Sequence, residues 1–242
     1  MAYRVGTSGW SYDHWKGALY PPGLPVGQRL ARYVEEFDSV ELNASFYRWP
    51  GATRFRMWHD RLPNGFAMAV KAPRGLTHAK RLYAPELWIE RIVEGWRALG
   101  DRQCALLVQL PPTMQRDDER LDYFLRAIPD GLRVAVEFRH PSWNEEDVYS
   151  LLERRRASYV VMSGSGLDCI LRATTDFVYV RLHGPSAQHL YAGSYSDDDM
   201  TWWAERCREW HAQGRDVFVY FNNDGEGHAV RNAWTLRRML GL

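Results

Sequence analysis

The sequence predicts a single (β/α)8 barrel of the TIM type over residues 1–242, in the α/β class and irregular around its sixth strand–helix unit. Three observations lead there. Eight short apolar, β-prone runs alternate with amphipathic helical stretches, which calls for parallel pairing through right-handed crossovers. Ionisable residues gather where those runs end, as in V-A-V-E-F-R-H-P from Val134 to Pro141, the layout of buried parallel strands opening into a site. No run is followed by G-x-G-x-x-G, so a doubly wound dinucleotide-binding sheet is the weaker candidate.

The elements follow in order. Tyr3 to Thr7 is the first strand, leaving through Ser8-Gly9-Trp10, and Pro21, Pro22 and Pro25 keep the next stretch irregular. Leu30, Val34 and Phe37 mark one face of a helix. Ser39 to Leu42 is the second strand, with Glu41 and Asn43 at its exit, and Phe55, Trp58 and Leu62 mark the helix after it. Phe66 to Val70 is the third, with Lys71 at its end and a basic loop beyond that holds Arg74, His78, Lys80 and Arg81. Ile89, Val93, Trp96 and Leu99 line a helix, and Cys104 to Val108 is the fourth strand, leaving through Gln109. Leu121, Phe124, Leu125 and Ile128 precede the fifth strand, Val134 to Val136, which Pro141 brings to a stop.

Asn144-Glu145-Glu146-Asp147 has the composition of a capped helix start, with Val148, Leu151 and Leu152 on the buried side. Tyr159 to Met162 is the sixth strand, and Ser163 to Asp176 is too short and mixed for a helix. Phe177 to Leu182 is the seventh, with Arg181 and His183 near its exit. Ser196-Asp197-Asp198-Asp199 matches a capping box ahead of the stripe Met200, Trp203, Cys207 and Trp210. Asp216 to Tyr220 is the eighth strand, F-N-N-D-G-E-G its polar exit, and Ala229, Ala233, Leu236 and Leu240 face inward from the last helix.

A formal net charge of +1 removes any global pull toward nucleic acid or a membrane surface. Cys104, Cys169 and Cys207 are far apart and outside any C-x-x-C spacing, so they are expected as reduced thiols. With no apolar leader at its start and no long uncharged run, the chain is expected in the cytoplasm, off the membrane. Nothing in the sequence sets an oligomeric state.

In a barrel the site lies at the carboxyl ends of the strands, which gathers Glu41, Asn43, Lys71, Gln109, Glu137, Arg139, Arg181, His183, Asn222 and Asn223 as candidates. Glu41 and Glu137 have the chemistry of an acid/base pair, whose carboxyl groups would need to stand roughly 5 to 9.5 Å apart for glycoside hydrolysis. Clamping of each by Lys71, Arg139 or Arg181 is favoured over that role, because a clamped carboxylate stays ionised and is a poor general acid. Lys71 is either a Schiff-base amine or an anion anchor, and the neighbouring positive groups favour the anchor. Of His78, His140, His183 and His228, only His183 is backed as an acid/base group. A metal held by Glu41, Glu137 and His183 is disfavoured by the cations around them and by the absence of paired ligand spacing.

The motifs G-T-S-G-W from Gly6, V-E-L-N-A-S-F-Y from Val40, K-A-P-R-G-L-T-H from Lys71, V-E-F-R-H-P-S-W from Val136, Y-V-R-L-H-G from Tyr179 and F-N-N from Phe221 recur in one order. Together they resemble the YecE-like family, also called domain of unknown function family seventy-two, nearly end to end. The resemblance implies a TIM barrel and a bacterial or archaeal cytosolic protein, and it transfers no reaction and no catalytic residue.

The leading expectation is an enzyme acting on a small anionic substrate, a phosphorylated sugar or nucleotide-like molecule, with hydrolase or lyase chemistry. Lys71, Arg139 and Arg181 would hold the anion, Glu137 or Glu41 would move protons, and Trp10 and Trp143 would cover the ligand. No metal and no cofactor is called for. One alternative is nucleic-acid binding or processing, with Arg74, Lys80, Arg81 and Arg139 on phosphates and Trp10, Trp15 and Trp143 stacked on bases. Another is a non-catalytic ligand-binding scaffold.

Overall fold

The structure, a computed structural model, describes residues 2–242. Its strands are β1 (Tyr3–Thr7), β2 (Ser39–Leu42), β3 (Ala67–Lys71), β4 (Gln103–Gln109), β5 (Val134–Glu137), β6 (Ser158–Ser163), β7 (Phe177–Leu182) and β8 (Asp216–Phe221). Its helices are α1 (Arg29–Tyr33), α2 (Ala52–Arg61), α3 (Glu86–Leu99), α4 (Asp118–Ala127), α5 (Glu146–Arg154), α6 (Asp197–Ala212) and α7 (His228–Leu240). The strands form one eight-stranded sheet in the order β1-β8-β7-β6-β5-β4-β3-β2, which is the (β/α)8 TIM-barrel topology. Two compact units make up the chain: Met1–Glu41 with Val161–Leu171 and Asp176–Leu242, and Leu42–Val160 with Arg172–Thr175.

In the first unit β1 pairs with β8 and β8 with β7, all parallel, so the first strand lies against the last. Between β1 and β2 a parallel bridge joins Ser8 to Glu41, and Gly9 N–H donates to Glu41 O at 2.7 Å. Val5, Val178, Val180, Val217 and Val219 are fully buried, as strands covered on both faces require. Ser196 caps α6 as expected: its hydroxyl accepts from Asp199 N–H, and the Asp199 carboxylate accepts from Ser196 N–H. Met200, Trp203, Cys207 and Trp210 then turn inward.

In the second unit β3, β4 and β5 pair in parallel, and β5 pairs in parallel with the start of β6. All four residues of β5 are buried. Beyond β6 no helix forms among residues 164–176. Instead Thr174 bonds to the start of β6, its hydroxyl accepting from Tyr159 N–H (2.8 Å) and donating to Ala157 O (2.7 Å).

Two local expectations are corrected. The first helix stops at Tyr33, because Tyr33 O accepts from both Glu36 and Phe37 and the chain tightens into turns. Asn144 does not cap α5: its N–H closes the turn Pro141–Trp143 onto Pro141 O, and Glu145 occupies the cap position without a side-chain bond.

Candidate functional site

The register of the second unit gathers one group of side chains. Lys71 pairs with Leu107, Leu107 with Ala135, and Gln109 with Glu137. Residues two apart on a strand share a face, so Lys71, Gln109 and Glu137 project from the same side of the sheet at its carboxyl edge. Glu137 is fully buried, Lys71 is nearly so, and Arg139 folds back to donate from Nε to Glu137 Oε1. The Lys71 ammonium stands 4.4 Å from the centre of the Phe46 ring. Phe46 is brought there by a tight turn, Ala44–Phe46, whose Ser45 hydroxyl bridges Leu42 O (2.8 Å) and Lys71 O (2.6 Å).

The loop after β3 is wound rather than open. Gly75–Ala79 forms a wide turn in which Lys80 N–H reaches Gly75 O at 3.0 Å, an i to i+5 bond of the kind found at functional sites. Gly75 is needed because a Cβ there would collide with the Trp88 indole. The turn delivers His78 to Phe46, ring edge to face at 4.9 Å, with Nδ1 bonded to Thr77 Oγ1 at 2.9 Å. Burial, then Lys71, Arg74 and Arg139, push the imidazole below the ordinary histidine range, and Glu137 opposes them. Around the imidazole thus stand the side chains of Lys71, Arg74, Arg139 and Glu137. Basic side chains gathered beside an imidazole and a carboxyl group have the chemistry to hold an anion and to move a proton.

Glu41, in the first unit, is differently employed. Oε1 accepts from Ser8 Oγ (2.6 Å) and Arg181 Nη2 (2.8 Å), and Oε2 from Tyr179 OH (2.7 Å) and Arg181 Nε (3.0 Å). All four residues are fully buried. This is the clamped carboxylate the charge pattern favours, set at the β1–β2 seam, and it is poorly suited to carrying protons. His183 is also fully buried, meeting Asn222 Nδ2 through Nδ1 at 3.2 Å and the Tyr191 ring edge-on at 5.3 Å. Asn223 donates to Gly193 O (2.9 Å) and Asn232 Oδ1 (3.0 Å), pinning the loop after β7. In that loop the Tyr195 hydroxyl is pushed up to about 12 by burial.

Protein of unknown function DUF72, as a family model, matches residues 4–242. The chain belongs to this family. It is 27% identical to UPF0759 protein YunF of Bacillus subtilis (strain 168), over 98% of this chain and 94% of that protein. The crystal structure of a DUF72 family protein from Thermotoga maritima MSB8 superposes with a TM-score of 0.90 at 29% identity, each chain covered in full. A DUF72 family protein from Enterococcus faecalis V583 superposes with a TM-score of 0.86 at 21% identity, over 99% of this chain and 96% of that one.

Within this DUF72 chain the aromatic candidates take other places. Trp143 is fully buried, stacks on Phe138 at 4.7 Å and donates its indole N–H to Met114 O at 2.8 Å, so it packs the core and meets no ligand. Trp10 is half-buried, and its carbonyl accepts from Tyr20 OH. Asn43 begins the turn that carries Phe46, and its buried Oδ1 has no hydrogen-bond partner. His78, Arg74 and Phe46 join the cluster, whereas among the histidines the sequence favours only His183 as an acid/base group. The signal for His78 was the spacing within K-A-P-R-G-L-T-H, where Pro73 and Gly75 force a turn between Lys71 and His78. Among the described residues no group of three or more His, Cys, Asp or Glu side chains is arranged to hold a metal ion, and no helix is long and apolar enough to cross a membrane.

Proposed function

We propose that this protein is an enzyme acting on a small anionic substrate, a phosphate ester by preference, at the carboxyl edge of β3, β4 and β5. The observation that carries it is the convergence of Lys71, Arg74 and Arg139 on His78 and the buried Glu137. Guanidinium and ammonium groups placed together favour a doubly charged, many-oxygened anion, and a half-buried setting strengthens each contact. The ammonium of Lys71 against the Phe46 face favours its charged form, which suits an anchor better than a Schiff-base amine. His78, whose pKa burial and the nearby cations lower, would accept a proton from the substrate, with Glu137 beside it as the second candidate. A cytosolic location agrees with all three cysteines being thiols.

A thermal-shift panel of inorganic phosphate, sugar phosphates, nucleotides, oligonucleotides and divalent metals tests this on the wild type and Lys71→Ala. A ligand at about 100 times its dissociation constant adds roughly 2.7 kcal/mol, which raises the midpoint of a chain this size by about 5–10 °C. The expected result is a shift with phosphorylated compounds that Lys71→Ala removes. A shift with metals or oligonucleotides alone, or none at all, refutes the anion site. A ligand bound without turnover after long incubation, in wild type and Glu137→Gln alike, makes the protein a binding module.

A further inference from the structure

The anion cluster is continuous with an aromatic surface. Tyr47 follows Phe46 at once, and the two rings meet edge to face at 5.2 Å. Phe46 is fully engaged, with the Lys71 ammonium 4.4 Å from its centre and the His78 ring edge-on at 4.9 Å. Tyr47 is not engaged in this way, since it stands 78% exposed. One exposed tyrosine is ordinary on a protein surface. Its place is what matters, because it lies one ring contact from the ammonium at the end of β3 and one from the imidazole of the wide turn. A flat partner covers the open face of such a ring well by stacking, and the contacts through Phe46 place the Tyr47 ring within reach of a group attached to an anion at Lys71.

We propose that the substrate of this site is a planar phosphate monoester, an aryl or nucleoside phosphate, whose ring stacks on Tyr47 while its phosphate meets Lys71, Arg74 and Arg139. This rests on the anion reading above and narrows it: an open-chain or bare phosphate satisfies the cations but leaves Tyr47 in water. Tyr47 is then the residue that determines specificity, and it takes no part in the chemical step. Stacking on an aromatic side chain corresponds to roughly 5- to 150-fold in affinity.

Calorimetric titration of the whole protein with inorganic phosphate, glycerol phosphate, phenyl phosphate and adenosine monophosphate tests it, in wild type, Tyr47→Ala, Tyr47→Phe and Lys71→Ala. The wild type should bind the two planar esters at least roughly 5-fold more tightly than inorganic phosphate. Tyr47→Ala should erase that preference and leave inorganic phosphate unchanged, Tyr47→Phe should keep it, and Lys71→Ala should weaken all four probes. Equal affinity for planar and open-chain esters, or a preference that survives in Tyr47→Ala, overturns the assignment and leaves the anion site standing. Failure of every phosphate to bind the wild type removes the anion site and this assignment together.

Discussion

Glu41→Gln should lower the stability of the protein without touching the chemistry. Glutamine keeps the shape of the side chain and removes its charge. Each carboxylate oxygen accepts one hydroxyl and one Arg181 N–H, with Ser8 and Nη2 on Oε1 and Tyr179 and Nε on Oε2. Whichever way the amide is turned, its NH2 meets one hydroxyl and one guanidinium N–H. The hydroxyl can rotate to accept, but the guanidinium has no acceptor to offer. A buried charge also loses the partner that balanced it, which costs about 3–5 kcal/mol when one side of such a pair is removed. At about 2–4 °C per kcal/mol for a chain of this size, the midpoint should fall by about 6–20 °C. Urea unfolding followed by tryptophan fluorescence measures the loss, and a double-mutant cycle with Arg181→Met isolates the pair. A loss below about 1 kcal/mol would refute the clamp and return Glu41 to the list of candidate proton carriers.

Four further outcomes follow from the second unit. The His78 imidazole, depressed by burial and by Lys71, Arg74 and Arg139 against Glu137, binds fewer protons folded than unfolded; its stabilising effect is therefore complete above pH 6.5 and is lost as pH falls through the folded pKa, a slope in urea midpoints that His78→Asn should flatten. A bound sulfate, which does not titrate in this range, should favour the imidazolium, so sulfate affinity measured by calorimetry should rise from pH 8 to pH 5 in the wild type and stay level in His78→Asn. Gly75→Ala forces a methyl into the Trp88 indole and should cost about 1–3 kcal/mol in chemical denaturation while weakening phosphate binding through the displaced turn. Ala84→Gly, at an exposed position held at a φ of 43°, should instead stabilise by up to about 1 kcal/mol, and a lower urea midpoint would contradict the strain assigned to it.

The strands were legible because a buried parallel strand has no polar face, so its whole length is apolar and its charged residues collect at the exit. Phe177–Leu182 has the bounds its apolar run predicts, and Lys71, Gln109 and Glu137 fall at one edge once parallel pairing is granted. What separates Glu41 from Glu137 was not legible. Both are carboxylates near the end of a strand, and both are bound by an arginine. Glu41 is bound by Arg181, 140 positions away, by the Tyr179 hydroxyl of the same strand and by the Ser8 hydroxyl just past β1, contacts that exist only after β1, β2 and β7 have assembled. Glu137 is met by an arginine two residues along its own chain, a contact that needs no assembly of distant strands. His78 was hidden for a related reason: a wide turn returns it toward the strand end, and helical or strand periodicity carries no mark of such a turn. Long-range contacts thus set the surroundings of Glu41, whereas a contact within two residues sets part of those of Glu137.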